Sequence, residues 1–252
     1  MLLNPDGTVS RGTLTAELWG DSPPRSAAAN LRNYVSGVRT WLADRCHGPA
    51  GSTLTSTGNG WALNTAGPGP VTVDVREFEA DRANGRSLVQ QGDLVAAESY
   101  LRRAALSCRG LPLQDVAQGA LLGARAAVLT AQWFSAVEEY ADLLIRLGDY
   151  ERARTVLHEF LSVHPTRERA WGQLMLACYH DGDVAAVVRA YRTGREALVE
   201  ELGVEPGREF TALYQAILRR EAVPDGTAPV FVSAPWGRST RTGPLGRYTT
   251  HR

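Results

Sequence analysis

Gly148 to Pro165 reads GDYERARTVLHEFLSVHP, and Gly182 to Leu198 reads GDVAAVVRAYRTGREAL. Both open on Gly-Asp, 34 residues apart, and a third pair, Gly92-Asp93, opens GDLVAAESYLRRAAL upstream. A glycine permits the left-handed backbone of a tight turn between helices, and the aspartate after it can accept the free N–H groups of the helix it begins. Five positions beyond the glycine stand Ala97, Ala153 and, in a more degenerate third copy, Val187. A small residue there lets two helices approach closely. The second unit ends at Pro165, 17 residues after its glycine. This period is that of tetratricopeptide helix pairs, which bury their faces only by stacking on neighbours.

Working outward, the periodicity predicts helices over 75–91, 93–107, 118–147, 149–163, 167–180, 183–201 and 207–221. The longest carries Ala126, Leu129, Trp133, Ala136, Val137, Tyr140, Leu143, Leu144 and Leu147 at three- and four-residue spacing, a core-facing stripe. A break in it is expected near Gly123. Upstream, the Gly/Pro-rich end of GNGWALNTAGPGP (Gly58 to Pro70) predicts a linker, with a boundary near 70–73. Beyond Ala222 the periodicity stops and four prolines follow, predicting an unstructured tail over 222–252.

Residues 1–72 differ in character. Ser10 is placed to cap a helix running to Trp19, and Gly20-Asp21-Ser22-Pro23-Pro24 stops it. A second helix begins near Ser26, with Leu31, Val35, Val38 and Leu42 on one face. Asn30, Arg32, Asn33, Ser36, Arg39 and Thr40 occupy the remaining surface, a short polar strip rich in donors. Thr53-Leu54-Thr55 and Trp61-Ala62-Leu63 flank Ser56 to Gly60, where Asn59-Gly60 favours a tight hairpin turn. Helix, helix, hairpin is the order of a winged helix-turn-helix. Trp19 reads as a core anchor, because it continues the face of Leu14 and Leu18.

The chain has 252 residues, 21% charged and 44% hydrophobic, which leaves room for roughly two domains of about 100–150 residues each. No run of about 18 consecutive apolar residues suggests a membrane span, and no basic flank followed by an apolar stretch marks a signal peptide, so a cytoplasmic location is expected. Cys46, Cys108 and Cys178 are odd in number and far apart, as suits free thiols. All 27 basic residues are arginine and the formal net charge is zero, so no basic stripe advertises nucleic-acid binding. Cys46-His47, His158, His164 and the Cys178/His180 pair lack the spacing that zinc needs. No G-x-S-x-G and no phosphate-binding glycine loop is present. An enzyme is therefore not expected, and neither a metal nor a cofactor is called for.

At this point the sequence resembles the Streptomyces antibiotic regulatory proteins, which join an OmpR-type winged helix to a bacterial transcriptional activator domain. The resemblance is carried by LTAELWGDSPP (Leu14 to Pro24), NLRNYVSGVR (Asn30 to Arg39), GNGWAL (Gly58 to Leu63), VDVREFE (Val73 to Glu79) and RGLPLQDV (Arg109 to Val116). The Gly-Asp repeats, YRTGREALVEELGVEPG (Tyr191 to Gly207) and AILRRE (Ala216 to Glu221) continue it. It implies a mainly α protein: a truncated winged helix-turn-helix over 1–72, a tetratricopeptide-like activator domain over 73–221, and the tail outside both.

It also implies a sequence-specific activator of a secondary-metabolite gene cluster, with promoter direct repeats and RNA polymerase as partners, a homodimer among the expectations, and no membrane. The reading helix would be 26–42, with Asn30, Arg32, Asn33, Ser36 and Arg39 nearest to bases or phosphates. Asn suits adenine, and Arg suits guanine or phosphate. The wing, 55–60, would bring Thr57 and Asn59 to the backbone or minor groove. Thr57 stands where many relatives carry arginine, and Gly37 where the helix often has a larger or basic residue. Both departures cost phosphate affinity. Family members begin with a small antiparallel sheet and a first helix, of which Met1-Leu2-Leu3 resembles only the end. Leu14, Leu18, Trp19, Leu31, Val35 and Val38 are therefore expected to lack their usual cover. The alternative is a helical-repeat scaffold or effector-binding protein that no longer reads DNA.

Overall fold

The computed structural model describes residues 7–45, 53–64, 73–108 and 110–220. Met1 to Leu3, the Cys46-His47 pair, the expected linker and the expected 222–252 tail lie outside the described residues. The protein is mainly helical, as the repeats predict. The helices are α1 (Arg11–Trp19), α2 (Ala27–Arg45), α3 (Asp74–Gln91), α4 (Leu94–Leu106), α5 (Ala120–Arg146), α6 (Tyr150–Val163), α7 (Glu168–His180), α8 (Val184–Leu202) and α9 (Arg208–Arg219). Strands β1 (Thr8–Ser10), β2 (Thr53–Thr57) and β3 (Gly60–Asn64) form one antiparallel sheet in the order β1-β3-β2.

The three Gly-Asp pairs do what their chemistry suggests. Gly92, Gly148 and Gly182 adopt φ of 84°, 76° and 82°. Asp93, Asp149 and Asp183 accept from the backbone N–H of Ala96, Arg152 and Ala186 at 3.0, 3.2 and 2.8 Å. Each turn reverses the chain, so α3 packs on α4, α5 on α6 and α7 on α8. Ala97, Ala153 and Val187 are fully buried at these crossings. Gly85 admits Leu101, and Gly194 admits the Trp171 ring, at places where a β-carbon would come within 2.6 and 2.8 Å.

The main core runs from α4 to α9 and includes Leu101, Tyr140, Leu144, Leu157, Leu174, Met175 and Phe210. Within it α7 is apolar nearly all round, from Ala170 to Cys178. One polar seam crosses the core. Glu138 is 2% exposed, and accepts from Arg167 Nη2 at 2.6 Å. Gln173, fully buried, donates to the Glu138 carbonyl at 2.8 Å and to Asp142 Oδ1 at 2.6 Å, while Arg169 pairs with Asp142 at 2.8 Å. Burial pushes Asp142 above the ordinary carboxylate range, and Arg169 opposes that push. On the neighbouring turn, burial also acts on Glu139, but ion pairs from Arg82 and Arg86 outweigh it and hold that carboxyl below its usual range.

Two expectations are corrected here. Helix α5 runs unbroken through Gly123, because its amide bonds back to Gly119 O at 2.9 Å and nothing crowds or bends the chain at that point. The hairpin turns at Gly58-Asn59, one residue earlier than Asn59-Gly60, with Thr57 opposite Gly60. Gly60 is kept for β1: a β-carbon there would sit 2.1 Å from Val9 O. By length and a mean hydropathy of 1.3 over its most apolar stretch, α5 also meets the requirements of a membrane span. Here it is the central helix of the array, packed by α4, α6 and α7.

Replacing Gly123 by Ala should stabilise the chain by about 0.5–1 kcal/mol, because the helix is continuous there and the nearest atom is 3.8 Å away. Asp149→Ala should cost about 1 kcal/mol through loss of the cap. Urea unfolding midpoints of the two variants should move in opposite directions.

Candidate nucleic-acid interface

The candidate interface is built from α1, the turn after it, α2 and the hairpin. Ser10 begins α1 by accepting from Thr13 N at 3.0 Å, and Gly20, at φ 59°, closes it through its own N–H to Ala16 O. The Pro23-Pro24 stretch cannot continue a helix. The chain re-enters one at Ala27, whose N–H bonds to Pro24 O at 2.9 Å.

Helix α2 has two faces. Leu31 and Val35 are buried with Leu54 and Trp61 of the hairpin, and Leu14, Trp19, Leu42 and Leu63 pack partly against them. This corrects the expectation of six uncovered side chains. Leu31 and Val35 are covered and Leu14 and Trp19 are half-buried, while Leu18 and Val38 stay exposed. The cover comes from the hairpin. Strand β1 is paired onto it through Thr8↔Ala62, Val9↔Trp61 and Ser10↔Gly60. The Trp19 ring, read from sequence as an anchor, lies against Tyr34 with centroids 6.5 Å apart.

On the outer face, Arg32, Asn33 and Ser36 are exposed, and their side chains have no intramolecular partner among the described residues. Asn30 is half-buried, and its amide donates to Ser26 Oγ at 3.3 Å. Arg39 is placed differently from the others. Its Nε donates to Leu54 O at 2.7 Å and its Nη2 to Ser56 Oγ at 2.9 Å, so the guanidinium ties α2 to β2. Thr57 and Asn59 are exposed at the hairpin tip, where the Asn59 carbonyl accepts from Arg11 N at 2.9 Å. Among the described residues no three His, Cys, Asp or Glu side chains converge as metal ligands would.

Sequence reasoning missed two contributors. Strand β1 is three residues long, too short for alternation to announce it. Glu17, on α1, reaches the far side of the chain: its carboxylate accepts from Leu121 N and Leu122 N, both at 2.9 Å, and so caps the N-terminus of α5. A carboxylate at that end also meets the favourable pole of the helix dipole. A β-carbon on Gly119 would lie 2.5 Å from Glu17 O, so the two segments touch closely. No local signal marks a cap supplied from about a hundred residues away in the chain.

Residues 73–218 match the family described as Bacterial transcriptional activator domain. Over 220 residues the chain is 31% identical to regulatory protein DnrI of Streptomyces peucetius, covering 86% of this chain and 80% of that protein. It belongs to the Streptomyces antibiotic regulatory protein family. The transcriptional regulator RedD of Streptomyces coelicolor is 29% identical over 85% of this chain and 61% of its own length. Among solved structures, Mycobacterium tuberculosis EmbR in complex with a low affinity phosphopeptide superposes with a TM-score of 0.76 at 26% identity. That superposition covers 89% of this chain and 58% of EmbR. The chain is thus a transcriptional regulator.

Within this regulator, Arg39 and Arg32 separate by experiment. Arg39→Ala removes two hydrogen bonds from a charged donor and should lower the thermal midpoint and speed amide exchange in β2, at a cost of about 1 kcal/mol given its exposure. Arg32→Ala should leave both unchanged.

Proposed function

We propose that this regulator is a sequence-specific DNA-binding activator that lays the outer face of α2 in the major groove of promoter repeats. The unit over 1–72 acts as a winged helix-turn-helix, and the unit over 73–221 serves self-association or contact with RNA polymerase in the cytoplasm. The observation that carries this reading is the state of α2: its apolar face is anchored on the hairpin, while Arg32, Asn33 and Ser36 are exposed without partners among the described residues. Side chains held on a fixed helix and left unsatisfied suit base edges and phosphates. Arg39 contributes chiefly by holding the wing against α2, and Thr57 and Asn59 bring the hairpin tip to the backbone. Membership of the Streptomyces antibiotic regulatory protein family supports a target in a secondary-metabolite cluster.

A mobility shift on the regulator's own promoter, with stepped salt, tests the reading. Binding should keep a preferred site over unrelated DNA while affinity falls with salt. Arg32→Ala should lower the slope of log affinity against log salt by about one if that arginine meets a phosphate, and Asn33→Ala should cost about 1–3 kcal/mol of site preference. Shifts that ignore sequence and vanish above low salt would leave the helical array, acting as an interaction scaffold, as the functional part.

A further inference from the structure

Between α4, the connection after it, α5 and α6 lies a cavity of about 680 Å3. Small-molecule sites occupy roughly 300–1,000 Å3. An α-helix, about 10 Å across with its side chains, would fill this one in under two turns, so a peptide helix is a poor occupant.

The walls are mostly apolar, with Leu106 at the rim and Trp133, Val156 and Phe160 inside. Trp133 and Phe160 meet edge to face, 6.0 Å apart at 86°, and the His164 ring lies 5.1 Å from Phe160. The Trp133 indole N–H is already donated to Ala105 O at 2.9 Å, so that ring offers only its hydrocarbon surface. Burial pushes His164 below the ordinary imidazole range, and Arg167, whose guanidinium lies over the Phe134 ring, adds to it. Glu159 is the carboxylate of the lining, exposed, with no intramolecular partner among the described residues. It would repel an anion and accept from an N–H or O–H group.

One wall leads elsewhere. Gly110, Leu111 and Gln114 line the cavity, and the same segment runs on to Gly119 and the helix end that Glu17 caps. Leu113 within it holds φ of 60°, a conformation that L side chains rarely adopt. Gln118 Nε2 donates to Leu113 O at 2.8 Å and Leu111 N to Gln114 Oε1 at 3.1 Å, fixing it there. Strain maintained by its surroundings is typical of segments with two arrangements.

We propose that this cavity binds an uncharged, planar aromatic small molecule carrying a hydrogen-bond donor, and that residues 110–119 pass its occupancy to the Glu17 cap on α5. The aromatic walls take the ring system and Glu159 takes the donor.

N-phenyl-1-naphthylamine, an uncharged fused-ring aromatic with one N–H, brightens in apolar surroundings and serves as the probe. Titrated into the full chain, it should saturate at one site, and Leu106→Trp, which adds bulk at the exposed rim, should weaken it at least about tenfold. Glu159→Gln should weaken it by a smaller factor, with far-UV circular dichroism unchanged in both variants. At saturation the Leu121 and Leu122 amides should change exchange rate about threefold or more in the parent chain and not in Leu106→Trp. No saturable binding, or binding indifferent to Leu106→Trp, overturns the site. Binding at the site with Leu121 and Leu122 exchange unmoved overturns its link to α1. Neither readout involves DNA, so the outcome is separate from that of the mobility shift.

Discussion

Helices α4, α6 and α8 are each apolar on a stripe they cannot bury alone, and the left-handed glycine followed by a capping aspartate is what lets each fold back on the helix before it. The turn fixes where the chain reverses, and the small residue five positions on fixes how near the two axes come. Ala97, Ala153 and Val187 are buried because Gly92, Gly148 and Gly182 bring the partner helix over them. The core, the cavity between α4 and α6, and the platform at the start of α5 all inherit their geometry from these reversals.

The buried acids add a second level of constraint. Glu138 is buried inside the array, and among the described residues Arg167, in hydrogen-bond contact, and Arg169 at 3.7 Å offset the cost of that burial. Such a pair contributes little net stability against an apolar alternative, but removing one partner leaves an uncompensated charge. Its consequence is therefore register: α7 can sit against α5 only where the arginines reach the carboxylates.

The N-terminal unit depends on borrowed contacts. Its own core is small: among the described residues Leu31, Val35, Leu54 and Trp61 form one buried cluster, with a ring of half-buried side chains around it. Strand β1 closes one side and the Glu17 carboxylate fastens α1 to α5. That joint makes the placement of α2 relative to the helical array a property of the whole chain, while the hairpin residues Leu54 and Trp61 cover Leu31 and Val35.

Local rules determined much of this regulator from its sequence alone. Helix periodicity located every helix from 75 onward to within a few residues, the Gly-Asp words fixed the turns, and Ser10 fixed the start of α1, because each of these effects links residues a few positions apart within one stretch of chain. The polar strip on α2 was legible for the same reason. The tertiary structure alone decided that Arg39 belongs to the hairpin, that Gly60 makes room for β1, that α5 passes Gly123 unbroken and that Glu17 caps a distant helix. Each of these depends on which atom the folded chain places opposite, and hydrogen bonds and close approaches between segments far apart in sequence leave no periodic or compositional trace.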